Sequence, residues 1–599
     1  MTRFQDRSGR ILIAALLIGA MPGWAAEPAG AASDQGAATA AAPAASNISE
    51  IEQLKQMLLD QQRQINELRR QLSERQKETD QPASAQATPV NAAAPASTVP
   101  TPASASVAGS PAAEAPASVF PSAGQVASTR AMIPRAAVLP DPLPQAAPAK
   151  PAAASNPCEA APEGQSPAFI RLGSTCLIPI GFMDLTAVWR DKNAASSIGT
   201  NFGSVPYNNG VNAKNSEFRF SPQNSRIGFR FDGDWKGTHF IGYNEFDFLG
   251  TGGGSNYTVT NGAFVPRIRL FWVDVRKGKT EFLAGQSWSM FTPNRTGISA
   301  FPGDLFYSQV IDVNYMLGLT WTRQPGMRFL YHPNNKVTFG FSAENPDQYI
   351  GGSGGGGNPT LPSALTSLSG SQLDAGNLVL AAPTVHPDFI AKVAFDPSSR
   401  LHFEVGGIER TFRDYNPNTQ KHFTSSGGGI LVALNAEIFK NFRFVTTNSW
   451  GAGIGRYMFG LAPDLILRSD GSMSMVHSAG TVTGFEARVR PSLLLYAYYG
   501  GGYVGRNTAL DANGTTLIGY GYQGAPNGQN RAMQELTFGF NRTLWANPRY
   551  GAINAMGQYE YAMRSPWSYV ANQAGGKGAH DNTIYFNLRY TLPGGMPRF

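Results

Sequence analysis

From Phe169 to Phe599 the sequence repeats one pattern: segments of about ten residues alternate apolar with polar positions, and turns rich in Gly, Asn, Asp and Pro separate them. Ile584, Phe586, Leu588, Tyr590 and Leu592 fall on one face, and Tyr585, Asn587, Arg589 and Thr591 on the other. Val337, Phe339 and Phe341 repeat the period, as do Phe389, Ala391, Val393 and Phe395. A period of two with one apolar face means strands, in either a sandwich or a barrel. The connections separate the two. Strands expected at 178–190, 217–234, 239–250, 265–276, 280–291, 321–332, 336–345, 385–396, 401–411, 426–438, 441–452, 481–490, 493–505, 531–545, 552–564 and 582–593 are joined alternately by tight turns and long loops. Trp235-Lys236-Gly237-Thr238, Lys277-Gly278-Lys279, Pro333-Asn334-Asn335, Pro397-Ser398-Ser399, Lys440-Asn441 and Pro491-Ser492 are the tight ones. Short turns at one rim and long loops at the other distinguish a transmembrane barrel from a soluble sandwich. The expectation is an all-β transmembrane fold over residues 168–599, a roughly 16-stranded antiparallel β-barrel with both ends on the short-turn side.

Ahead of the barrel, Arg3, Arg7 and Arg10 precede the apolar run Ile11–Ile18, which ends at Gly23-Trp24-Ala25-Ala26. Basic, apolar and then small residues are the order of an export signal, assigned to 1–25. The run is shorter than the roughly 20 residues that a membrane-spanning helix needs. Charged residues make up 15% of the chain, below the roughly 25% of soluble proteins. The two cysteines, Cys158 and Cys176, are expected to pair in an oxidising compartment, the alternative being two unrelated thiols.

Residues 26–47 read as an Ala-rich linker and 48–78 as a short α-helical coiled coil in the periplasm. Ser49 and Glu52 fit a capping box. Ile51, Leu58, Ile65 and Leu72 at position a place Leu54, Gln61, Leu68 and Arg75 at position d. A lone amphipathic helix is the competing reading, but low-complexity flanks offer it nothing to lie on. Residues 79–167, dominated by Ala, Pro, Ser and Val, cannot bury enough apolar surface to fold and read as a disordered linker.

If the apolar face meets lipid, the lumen is lined from the opposite face. Ile227, Phe229 and Phe231 outward put Arg226, Arg230 and Asp232 inward. Ile268, Leu270 and Trp272 outward put Arg267 and Arg269 inward, and the same logic turns Arg443, Arg488 and Arg589 inward. A guanidinium in hydrocarbon costs about 2–4 kcal/mol at the midplane, which favours this assignment. These arginines could bind anions by bidentate hydrogen bonds. Equally, inward Glu245, Asp247, Glu404, Glu486 and Glu560 could simply neutralise them. The long connection from Thr292 to Thr320 carries Arg295, Asp304 and Asp312 among Phe301, Phe306 and Tyr307, a composition suited to a constriction loop or to an outer lid. The formal charge of +7 leans towards anions.

Ser225-Arg226-Ile227-Gly228-Phe229-Arg230-Phe231 and Phe282-Leu283-Ala284-Gly285-Gln286-Ser287-Trp288-Ser289 resemble strand motifs of the DcaP-like outer-membrane porins. That resemblance implies a coiled coil and linker before a sixteen-stranded barrel, a homotrimer, and passage of small negatively charged solutes such as dicarboxylates. The phosphate-selective porins are similar, so phosphate is an alternative solute. Neither resemblance says which arginines touch it. A second class of function is structural: a plugged barrel anchoring the outer membrane, with the N-terminal extension contacting the cell wall. Catalysis has little behind it. The seven histidines are scattered, and Gly351–Gly357 lacks the Lys-Ser/Thr ending of a phosphate loop. The terminal Phe599 suits the barrel-insertion machinery, although Gly594-Gly595-Met596-Pro597-Arg598 breaks the alternation before it. Expected partners are small anionic solutes and outer-membrane lipid. No nucleic acid, metal or cofactor is expected.

Overall fold

A computed structural model describes residues 169–593 except 195, 251–263, 314–315, 352–356, 375–381, 459–461, 548–549 and 570–576. The expected export signal, Ala-rich linker, coiled coil and Ala/Pro-rich linker lie outside the described residues, as do Cys158 and Phe599.

The strands are β1 (Ile170–Leu172), β2 (Thr175–Arg190), β3 (Glu217–Ser221), β4 (Arg226–Trp235), β5 (Thr238–Gly250), β6 (Val265–Lys277), β7 (Thr280–Trp288) and β8 (Arg323–Asn334). They continue with β9 (Val337–Glu344), β10 (Asp388–Ser398), β11 (Leu401–Asn416), β12 (Lys421–Phe439), β13 (Phe442–Ala452), β14 (Leu465–Leu467) and β15 (Met473–Met475). The last are β16 (His477–Arg490), β17 (Leu493–Val504), β18 (Asn507–Leu510), β19 (Leu517–Tyr520), β20 (Asn530–Asn547), β21 (Gly551–Pro566) and β22 (Ala579–Thr591). β14–β15 and β18–β19 are small hairpins within long loops.

All other strands join one antiparallel sheet of 18. β1 is an edge hairpin on β2, and β3 and β4 are two halves of one stave, which leaves a closed 16-strand barrel. β2 closes it: Phe182–Arg190 pair with β22, from Phe182↔Thr591 to Arg190↔Thr583, while the opposite edge pairs with β4 and then β3. Closure leaves no open edge whose N–H and C=O groups would be stranded in a hydrocarbon layer. At the short-turn rim, Lys236 and Gly237 both take positive φ (48° and 74°), as a two-residue hairpin of matching twist requires.

The outer surface is apolar. Met183, Phe229, Phe271, Phe329, Phe341, Phe538 and Phe586 are exposed there, and Trp235, Trp450 and Trp545 stand nearer the rims. Polar and charged residues point inward and are buried. Each of the sixteen expected segments falls on a stave, with shifted ends: β11 and β12 run on to Asn416 and Lys421 as a hairpin, β2 and β16 begin earlier at Thr175 and His477, and β7 stops at Trp288.

One expectation of facing is wrong. Ile268 faces outward as expected, but Leu270 and Trp272 face inward, and Phe271 (58% exposed) and Val273 take the outer face. The cause is a β-bulge. Glu245 pairs with Leu270 and Phe246 with Ile268, so Arg269 is the extra residue of the bulge and the alternation shifts phase there. Arg267 and Arg269 still face inward, as two residues flanking the slip.

Candidate functional site: the barrel lumen and its inner loop

The connection between β7 and β8 folds into the barrel rather than over it. Its backbone N–H groups are taken by side chains of the inner wall, stave by stave. Met290 N–H donates to Glu344 (2.7 Å), Asn294 N–H to Glu404 (2.9 Å) and Gly297 N–H to Asp396 (3.0 Å). Further along, Gln309 N–H donates to the Tyr498 hydroxyl (3.1 Å), Ile311 N–H to Gln558 (2.7 Å) and Leu317 N–H to Glu535 (2.9 Å). Irregular backbone at membrane depth is tolerated only where such partners exist. The loop thus spans the lumen from the β9–β11 wall to the β17–β21 wall.

Apolar packing seats the same loop. Ile178, Ile180, Ile241, Tyr243, Leu270, Trp272 and Leu283 form an apolar patch on the inner wall, and Phe301, Leu305, Phe306, Met316 and Leu319 of the loop pack with them. Tyr243 stacks on Trp272 at 5.2 Å, and Phe301 meets both edge-on. Across the barrel the wall is stripped of side chains where the loop passes. A Cβ on Gly480 would overlap the Gly318 carbonyl, and one on Gly500 the Leu317 carbonyl.

The three residues singled out in this loop are all engaged. Arg295 donates to Glu486 (2.9 Å from Nη1) and stacks on Phe306 at 5.2 Å. Asp304 lends its carbonyl to Arg295 N–H (2.6 Å), closing the loop on itself beside the Asn294–Leu305 bridge. Asp312 accepts from Thr200 N–H (2.9 Å) and the Tyr585 hydroxyl (3.0 Å), tying the loop after β2 to β22.

The wall arginines are paired as well. Arg226 meets Glu245 (3.3 Å), and Arg269 bridges Glu245 (2.8 Å) and Asp247 (2.6 Å). Arg267 reaches Asp247 with two nitrogens (2.8 and 3.0 Å), and Arg589 meets Asp184 (2.7 Å). Arg230 pairs with Asp232 on its own strand and lies fully buried under Phe301. Arg443 donates to Asn435 (2.8 Å) with Glu437 beyond (3.8 Å), and Arg488 shares the inward face with Leu494. Arg226 and Arg589 converge on Phe182, at 5.2 and 4.0 Å from its ring.

In three of these pairs the guanidinium is the member that water reaches. Arg226 is 14% exposed against 1% for Glu245, Arg267 40% against 1% for Asp247, and Arg589 13% against 0% for Asp184. The carboxylates lie beneath.

Several inward cations went unremarked in the sequence, although the same alternation carries them. Arg190 pairs with Glu217 (2.8 Å), Lys392 with Glu404 (3.2 Å), and Arg410 with Asp388 (2.9 Å) and Asp464 (3.0 Å). The last three side chains join Tyr457 and hold the outer loops to the wall. Burial raises the Asp464 carboxyl above the usual carboxylate range, while Arg410 and two backbone N–H groups pull it back. Cys176 faces inward and is disulfide-bonded; Cys158 lies outside the described residues. Among the described residues, no group of three His, Cys, Asp or Glu side chains could hold a metal ion.

A closed sixteen-strand barrel with an apolar belt and a loop folded inward defines the outer-membrane channel class of fold. No protein-family model matches the chain, and no curated protein does. Among solved structures it is similar to the outer-membrane channel DcaP of Acinetobacter baumannii, at 18% identity over 71% of this chain and 99% of that one, with a TM-score of 0.52. The anion-selective porin of Comamonas acidovorans is similar at 12% identity over 70% of this chain and 99% of that one, with a TM-score of 0.40. OmpF of Salmonella typhi matches at 9% identity over 71% and 100%, with a TM-score of 0.39. The chain therefore has a DcaP-like porin fold.

Proposed function

We propose that the protein is an outer-membrane porin, with its N-terminal extension in the periplasm, and that it conducts small hydrophilic solutes passively with a modest preference for anions. The carrying observation is the asymmetry of the wall pairs: Arg226, Arg267 and Arg589 turn guanidinium towards water and keep the carboxylate behind. Arg589 with Asp184 is formally neutral, while Arg226, Arg267 and Arg269 share only Glu245 and Asp247, so the water-facing end of both clusters is positive. An anion then replaces part of its hydration by guanidinium N–H donors, while a cation meets these carboxylates only from behind a guanidinium. Dicarboxylates suit the paired Arg226 and Arg589 over Phe182, and phosphate is the competing solute. Arg295, Asp304 and Asp312 act by holding the constriction in place. The heptads of 48–78 favour a self-associating chain, and the assembly proposed is a homotrimer.

The test is solute flux into vesicles carrying the full-length protein. Succinate should enter severalfold faster than a neutral sugar alcohol of equal size. Equal rates would remove the anion preference.

A second reading rests on the inner loop. It crosses the lumen and is fastened to several staves, which suits a barrel closed to solutes that anchors the outer membrane to the cell wall. Absence of any flux through correctly folded barrels would select it.

A further inference from the structure

Six of the hairpin turns at the short-turn rim each carry an exposed cation: Lys236, Lys279, Lys336, Arg400, Lys440 and Arg490. They lie on consecutive hairpins, β4–β5 through β16–β17, and so follow the rim around most of the barrel. The carboxylates on the same hairpins turn to the inner face, away from the exposed cations, and are engaged there. Asp234 meets His239 (2.8 Å), Glu281 meets His332 (3.0 Å), Asp396 meets His402 (2.9 Å), and Glu437 accepts from Asn441 N–H (2.8 Å).

The depth of the ring is set by its aromatic neighbours. Trp235, Tyr331 and Phe439 are exposed towards the ends of strands that lead into these turns, and Trp545 is exposed near the end of β20 at the same rim. Aromatic residues at a barrel's rim sit at the boundary between hydrocarbon and headgroups. Two of the cations follow such an aromatic directly, Lys236 after Trp235 with its ammonium 4.8 Å from the ring, and Lys440 after Phe439. That is the level of the phosphates.

We infer that this ring is a binding surface for anionic phospholipid headgroups of the leaflet at the short-turn rim. Each ammonium or guanidinium meets a phosphodiester just beyond the aromatic girdle, and the flanking apolar face receives the acyl chains. The inference rests on the membrane placement proposed above. It adds a lipid class and a side to that placement.

The test is native mass spectrometry of the full-length protein in mild detergent, titrated with phosphatidylglycerol or phosphatidylethanolamine. The protein should retain phosphatidylglycerol at least fivefold over phosphatidylethanolamine. Replacing Lys236, Lys279, Lys336 and Lys440 together by Gln should cut that preference at least threefold, while Lys421→Gln at the opposite rim leaves it intact. The substituted side chains are exposed, and heat-modifiable migration on gels confirms that the barrel has formed. Equal retention of the two lipids overturns the inference, as does an unchanged preference in the quadruple variant. If the four lysines are needed instead for co-sedimentation with purified peptidoglycan, and lipid preference does not move, the ring serves the cell wall and the inference fails. A folded barrel that inserts into no lipid bilayer removes the membrane placement itself, a different failure from loss of lipid preference.

Discussion

Every inward arginine that meets a carboxylate on this wall illustrates the same compromise. A guanidinium inside a barrel is well placed for anions, yet an unpaired one at low dielectric costs several kcal/mol, so most are neutralised. What distinguishes them is which partner water touches. Replacing Arg226 and Arg589 by Ser should lower the anion-to-cation permeability ratio by roughly two- to fivefold, the effect of about 0.5–1 kcal/mol from partly solvated charges. Arg230→Ser should leave the ratio unchanged, because Arg230 is buried beneath Phe301, and should instead strand Asp232 and lower the yield of folded barrel. Reversal potentials in a salt gradient separate these outcomes. Glu486→Ala leaves Arg295 buried without its counter-charge and should destabilise the barrel by about 3–5 kcal/mol, read from urea unfolding in detergent. At this scale the inward set was legible in the sequence: alternation alone turned Arg226, Arg267, Arg269, Arg443 and Arg589 to the lumen. Their pairing was not legible, because Glu245 and Arg269, or Asp184 and Arg589, meet only through strand register.

The strands were legible because a two-residue period survives any loop length, and short turns alternating with long loops located their ends. The bulge in β6 was not. A single bulged residue at Arg269 leaves the composition of the strand untouched and changes only the phase of the residues after it, so Leu270 and Trp272 read as lipid-facing. The sides can be distinguished by charge insertion. Phe271→Arg should cost about 2–4 kcal/mol of barrel stability through exposure to hydrocarbon, whereas Thr280→Arg at the short-turn rim should cost less. The inner loop was recognisable by length and composition, but not whether it would lie inside or above the barrel. That choice is made by distant groups: Glu404, Glu486, Glu535 and Gln558 on the wall, and the bare strip at Gly480 and Gly500. Gly500→Val should unseat the loop without breaking the β16–β17 pairing. The expected result is larger and noisier single-channel conductance, with barrel formation on gels preserved.

For the whole molecule, closure through β2 and β22 turns a sheet with an apolar outer face into a wall, and the inner loop divides the enclosed space. One side of the lumen is apolar and filled by Phe301, Leu305 and Phe306; the water-reachable Arg226 and Arg267 stand on β4 and β6, further along the staves that carry this patch. In the proposed channel, solutes pass through what the loop leaves open, with loop position setting size and arginine exposure setting charge preference. The most direct test is planar-bilayer recording of the purified full-length protein under a tenfold potassium chloride gradient. The account predicts discrete conductance steps and a reversal potential of the sign set by chloride. A folded barrel that gives no steps, or steps with a reversal potential set by potassium, would contradict it.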